Sequence, residues 1–191
     1  MQEQQYFSVS HQLNVNIEVI EQADLPQSHA EFEASIPEPF ILANGSQHSL
    51  IGLRALKQLG EAGEQLLTYL QNQEQKLNRV LSYVLAQQDS PEHRTISQLF
   101  GGSEIHCVWP QALAKGQALR LKIFLPEESS AVFCYGEVKH SEALAHSKEY
   151  LLEISYSWIR EEDVEALVRA SLHVQSQQLK ARADARQQAE K

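Results

Sequence analysis

From Met1 to Leu53 the chain has no lysine or arginine, yet Glu3, Glu18, Glu21, Asp24, Glu31, Glu33 and Glu38 all fall within it. No side-chain cation there can grip a phosphate, so an anion held by this stretch would need backbone amides. Cations are also outnumbered overall, 16 against 25 acids, for a net charge of −9. That excludes a nucleic-acid binder acting through bulk electrostatics. No apolar run is long enough to cross a bilayer, and MQEQQYFSV lacks the basic start and apolar run of a signal peptide. The two cysteines, Cys107 and Cys134, are too few for a disulfide scaffold. Both lie in strand-like runs and read as buried thiols. The expectation is a cytoplasmic protein, neither inserted in a membrane nor bound to nucleic acid.

Motifs that carry chemistry are scarce too. The histidines are scattered, and His106 and Cys107, adjacent on a strand, point to opposite faces and cannot share a metal. No serine sits in a G-x-S-x-G elbow, and GGSE, residues 101–104, lacks the spacing and lysine of a P-loop. Glu161, Glu162 and Asp163 read as the acidic first turn of a helix. No catalytic residue, metal or cofactor is therefore expected, and an enzyme with a dispersed site is the lesser alternative.

What is present is patterned. Leu13, Val15, Ile17 and Val19 alternate with polar residues, which predicts a strand with one buried face. A loose, acidic, proline-containing stretch follows from Glu21 to Pro39. From about Leu50 to Gln88 the apolar spacing becomes three and four. This predicts one long helix, or two broken at Leu59–Gly63, with Ser46 or Ser49 as N-cap and Pro91 ending the run. Strands follow: EIHCVW, with Ile105, Cys107 and Trp109 on the buried side; ALRLKIFL, with Leu119, Leu121, Ile123 and Leu125 inward and Arg120 and Lys122 outward; then AVFCYGEV and YLLEISY. Short strands with frequent turns point to a small antiparallel barrel. A last amphipathic helix carries Val164, Leu167, Val168, Leu172 and Leu179. The expected fold class is α+β, one domain. Residues 1–45 form an N-terminal strand region, 46–90 a long helical insertion, 93–160 the barrel strands, 161–180 a C-terminal helix and 181–191 a frayed tail.

With Leu53 at heptad position a, the long helix places Leu67, Glu74 and Leu81 at further a positions. Leu56, Leu70, Leu77 and Val84 fall at d. That is the pattern of a supercoiled seam, interrupted by Gly60, Gly63 and Glu74, and it predicts self-association. Like carboxylates of Glu74 would meet there, and protonation would then favour assembly as pH falls.

From LFGGSEIHC onward the chain resembles a PilZ domain. Gly116, Leu119, Leu121, Ile123, Leu125 and Pro126 match the family's G-x-x-L-x-L-x-I-x-L-P. Gly136 and Val138 match its G-x-V. Ile159, Glu161, Glu162, Asp163, Gln178 and Arg182 match the closing link and helix. The long helix, with NQEQKLNRVLSYVL inside it, is similar to that of the family's atypical tetrameric branch. The resemblance implies a barrel with extra helices, a role in cyclic di-GMP signalling, other signalling proteins as partners, and a homo-oligomer, a tetramer if assembly follows the branch. Ligand-binding members read D/N-x-S-x-x-G at the turn and R-x-x-x-R upstream. Here the three turn positions are Leu99, Gly101 and Glu104, and no cation precedes Arg54. An R-x-x-x-R occurs only at Arg182 and Arg186, in the C-terminal tail. The turn reads as one that has lost its ligand chemistry, or as a strand entry in which Gly101 and Gly102 supply positive φ. The alternative is a cyclic di-GMP receptor using Arg94, Arg120 and Lys122.

Overall fold

A computed structural model describes residues 8–44, 60–145 and 147–189. Seven strands make the sheet: β1 (Ser8–Ser10), β2 (Asn14–Val19), β3 (Arg94–Gly101), β4 (Glu104–Trp109), β5 (Ala118–Leu125), β6 (Ser130–Ala143) and β7 (Tyr150–Trp158). All pairings are antiparallel, in the order β1-β3-β2-β5-β6-β7-β4. The β3–β4 pairing closes β2–β7 into a six-stranded barrel. β1 lies beside the end of β3, Val9 opposite Phe100, in line with β2 on the same edge. Fully buried Ser97 bridges the break between them: its Oγ accepts from the Leu13 N–H and donates to the His11 carbonyl, both at 2.9 Å.

Two apolar clusters result. The barrel interior holds Val15, Ile17, Leu119, Leu121, Ile123, Cys107, Cys134 and Ile154, all fully buried. The outer face of β5 and β6 is apolar as well, through Phe124, Ala131, Phe133 and Tyr135. Helices α1 (His29–Ser35) and α2 (Glu38–Asn44) cover it with Phe32 and Phe40. The stretch expected to be loose, Glu21 to Pro39, is thus helical at 29–35, and a second helix, 38–44, begins at its end. Its prolines fall before or at helix starts, where proline is tolerated. Ser28 caps α1 by accepting from the Glu31 N–H at 3.3 Å. Seven-residue helices have no stability of their own; two phenylalanines buried on the barrel hold them.

The long helix α3 spans Glu61–Ala86. Gly60 precedes it with φ +70°, a conformation suited to glycine, so the described helix starts within LGEAG. Ser46, Ser49, Leu53, Leu56 and Leu59 lie outside the described residues. The last helix, α4 (Glu161–Ala189), continues past the expected end at residue 180. Its tail lacks an apolar face but is rich in Ala, Arg, Lys and Gln, all strong helix formers. Ala166, Leu167, Ala170 and Val174 close one part of the barrel.

Two further expectations are corrected. Val19 is exposed although it continues the β2 alternation, and Trp109 is only partly buried against the interior cluster. No described helix is long and apolar enough to cross a membrane.

Candidate functional site

The hairpin turn joining β3 and β4 carries Leu99, Gly101 and Glu104. Leu99 pairs with Ser10 on one side and His106 on the other. Gly101 and Gly102 are buried, and neither has positive φ; among the described glycines only Gly60 and Gly116 do. The positive-φ reading of this pair is therefore incorrect. Tyr156 fixes the turn instead. Its N–H donates to the Ser103 carbonyl at 3.2 Å, and its hydroxyl lies 3.4 Å from the Gly101 and 3.3 Å from the Glu104 carbonyl oxygens. Burial pushes the Tyr156 phenol well above its ordinary pKa, so it remains a neutral donor. Glu104 adds a carboxylate, with His106 Nε2 at 3.7 Å. The turn is thus ordered, acidic and without a cation of its own.

Arg94, Arg120 and Lys122 do not converge on it. Arg94 opens β3, about 20 Å along the strand from the turn. Asn16 pairs with both Arg94 and Lys122, and Glu18 with Arg120, so the three cations surround β2. Each is engaged within the chain. Arg94 makes a two-pronged contact to Asp89, at 3.2 and 2.8 Å. Arg120 meets Glu18 at 3.0 Å and lies 5.8 Å from the Tyr135 ring centroid. Lys122 Nζ donates to the Gln88 carbonyl at 3.0 Å, just past the end of α3.

Two polar joints escaped sequence reasoning. At the first, Asp89 accepts from Asn14 and Asn16 Nδ2 at 2.7 and 2.8 Å as well as from Arg94. Burial alone would raise its carboxyl. The hydrogen bonds from Arg94, Asn16 and Asn14, with the arginine charge, outweigh burial and hold it below the usual carboxylate range. Together with the Lys122 contact this fastens the end of α3 to the barrel. The signal in the sequence is the alternating pair Asn14 and Asn16, two amides on one strand face. At the second joint, fully buried Asp163 takes a bidentate contact from Arg160 at 2.9 and 2.8 Å and one from Asn44 Nδ2 at 2.5 Å. Burial pushes its carboxyl up against the opposing pull of Arg160 and Asn44. Asn44 also holds Ser130 and the Ala131 carbonyl, and Arg160 the Phe40 carbonyl at 2.9 Å, so α2, β6 and α4 meet here. The acidic first turn of α4 is as expected, but one of its acids is an internal fastener.

On α3, Leu67, Leu70, Glu74 and Leu81 are half-buried, and Leu81 packs on the outer cluster. Leu77 is 67% and Val80 61% exposed, and Leu66, Tyr69, Tyr83 and Val84 are exposed as well. Leu70, Leu77, Val80 and Val84 line a groove of about 680 Å³ whose opposite wall is Pro39 and Leu42 of α2. Among the described residues no group of three His, Cys, Asp or Glu side chains is placed to hold a metal ion.

A closed six-stranded barrel with a long added helix and a C-terminal helix is a PilZ-like fold. The tetrameric PilZ domain of a pathogenic protein from Xanthomonas campestris, described as self-assembled via an unusual helical bundle, is similar to this chain. It has a TM-score of 0.54 and 15% identity, with 92% of this chain and 91% of that one covered. The Bacillus subtilis inhibitor of motility MotI/DgrA gives a TM-score of 0.49 and 16% identity over 93% of this chain. The match spans 53%, about half, of the Bacillus chain. No family model matches the chain, and no curated protein sequence does.

Proposed function

We propose that this protein is a non-catalytic, cytoplasmic adaptor of cyclic di-GMP-linked signalling that self-associates through α3 and acts on other signalling proteins without holding the nucleotide at its β3–β4 turn. The observation that carries the reading is the exposed apolar row of α3. Exposed Leu77 and Val84 continue half-buried Leu70 at seven-residue spacing, and exposed Leu66 and Val80 flank half-buried Gln73 in the second heptad row. One row of this seam, Leu70, Leu77 and Val84, is the d row expected from sequence; the other precedes the expected a row by one residue. Gln73 and Glu74, equally half-buried, are the neighbouring polar positions at its centre. The Xanthomonas domain, similar in fold, assembles through helices. The engaged cations and the substitutions at Leu99, Gly101 and Glu104 support the absence of nucleotide binding. Each charge-assisted bond to a ligand contributes about 1.5–3 kcal/mol, and several are missing.

A second reading, a direct cyclic di-GMP receptor through Arg94, Arg120 and Lys122, has one observation in its favour: Arg120 Nε is buried without a hydrogen-bond partner. Two measurements on the full chain decide. In sedimentation the wild type is an oligomer, Leu77→Glu reduces it to a smaller species and Glu74→Leu tightens it. In calorimetry cyclic di-GMP gives no binding. A wild-type monomer would refute self-association through α3, and a low-micromolar Kd would replace this reading with the receptor.

A further inference from the structure

Helix α4 bears two apolar stripes, of which the barrel uses one. Leu167, Ala170 and Val174 turn inward, whereas Leu172 and Leu179 are 53% and 57% exposed. The outer stripe, read in alternate steps of three and four residues, is Glu165, Val168, Leu172, Gln175, Leu179, Arg182. Turned end over end about a point between Leu172 and Gln175, this series meets itself in complementary chemistry. Glu165 faces Arg182, Val168 faces Leu179, and Leu172 faces Gln175. The R-x-x-x-R of the tail, which matches nothing in a nucleotide site, supplies the basic end of this row through Arg182.

A second feature points the same way. Gln178 reaches back to the Ser10 carbonyl at 2.8 Å, and every residue from Leu179 to Ala185 is exposed while the helix continues. A helical extension without tertiary cover is marginal in water.

We infer that α4 is an interface for a second copy of this chain, packed antiparallel about a two-fold axis between Leu172 and Gln175. The pairing is isologous, so each Glu165–Arg182 contact occurs twice. A parallel pair would set Glu165 on Glu165 and Arg182 on Arg182, with like charges opposed. A partner of one charge sign would satisfy only one end of the stripe. This interface is separate from the α3 seam and stands without it.

The test is sedimentation of the full chain in the Leu77→Glu background, where the exposed substitution disables the α3 seam. The expected result is a dimer. Glu165→Arg or Arg182→Glu alone weakens it about tenfold, since attraction becomes repulsion at two symmetric contacts. The double reversal Glu165→Arg/Arg182→Glu restores it, and Leu172→Glu abolishes it. A monomeric Leu77→Glu protein, or a double reversal no better than the singles, would overturn the α4 interface. If wild type and Leu77→Glu form the same dimer, the α3 reading fails and the α4 interface stands.

Discussion

Gly136 has no room for a methyl group. A Cβ there would lie 2.7 Å from the Ser155 carbonyl oxygen and 2.8 Å from Ile154 Cγ2. The carbonyl belongs to β7, beside a register shift in the β6–β7 ladder, and cannot swing aside like a side-chain tip. Gly136→Ala is therefore expected to cost about 1–3 kcal/mol, seen as a Tm several degrees lower in a thermal melt. Trp109 stands at the other extreme. Its ring is only partly buried, so truncation to alanine loses less than the roughly 3–5 kcal/mol of a fully enclosed tryptophan. Spacing in the sequence assigns Trp109 to the right strand face, but the depth of burial depends on where the barrel ends.

At the scale of the element, Asp89 decides how α3 is attached. Its carboxyl is held below the usual range, so the stabilisation it supplies is complete above the unfolded-state pKa of about 3.9 and is lost as pH falls through the lower folded value. Asp89→Asn should cost about 1–3 kcal/mol near neutrality, and its deficit relative to wild type should vanish in acid denaturant melts below that range. The elements differ in how far the sequence revealed them. β5 was legible because Leu119, Leu121 and Ile123 alternate cleanly with Arg120 and Lys122, and α3 because its apolar spacing runs for many turns. Helices α1 and α2 were not, since each is held by one phenylalanine on a distant strand face and leaves no period to read. Spacing in the sequence merges the two stripes of α4 into one face. Its inward residues include Ala166 and Ala170, too small to stand out, while the conspicuous Leu172 and Leu179 point outward. The polar joints at Asp89 and Asp163 join residues 75 and 119 positions apart. No local pattern records such a meeting.

For the molecule as a whole, barrel closure leaves most of the exposed apolar side chains among the described residues on helices, Val19 of β2 and Ile96 of β3 apart. The six strands β2–β7 pair around a full circle, so edge-to-edge strand addition has little to grip. Among the described residues the exposed leucines and valines of α3 and α4 are the faces proposed above for a second copy. Cys107 and Cys134, free and wholly enclosed, meanwhile sit among the interior residues of that closed wall. Burial pushes both thiols up, far from the reactive thiolate. Ellman's reagent should therefore react only slowly with the native chain and consume two thiols at once when it is denatured. The slow native reaction then times how often the barrel opens. Subunits that bind each other only when folded draw the opening equilibrium shut by mass action. With the proposed assembly, the pair of sulfurs becomes a built-in gauge of it: diluting the protein should speed their labelling, although both lie on strands inside the barrel.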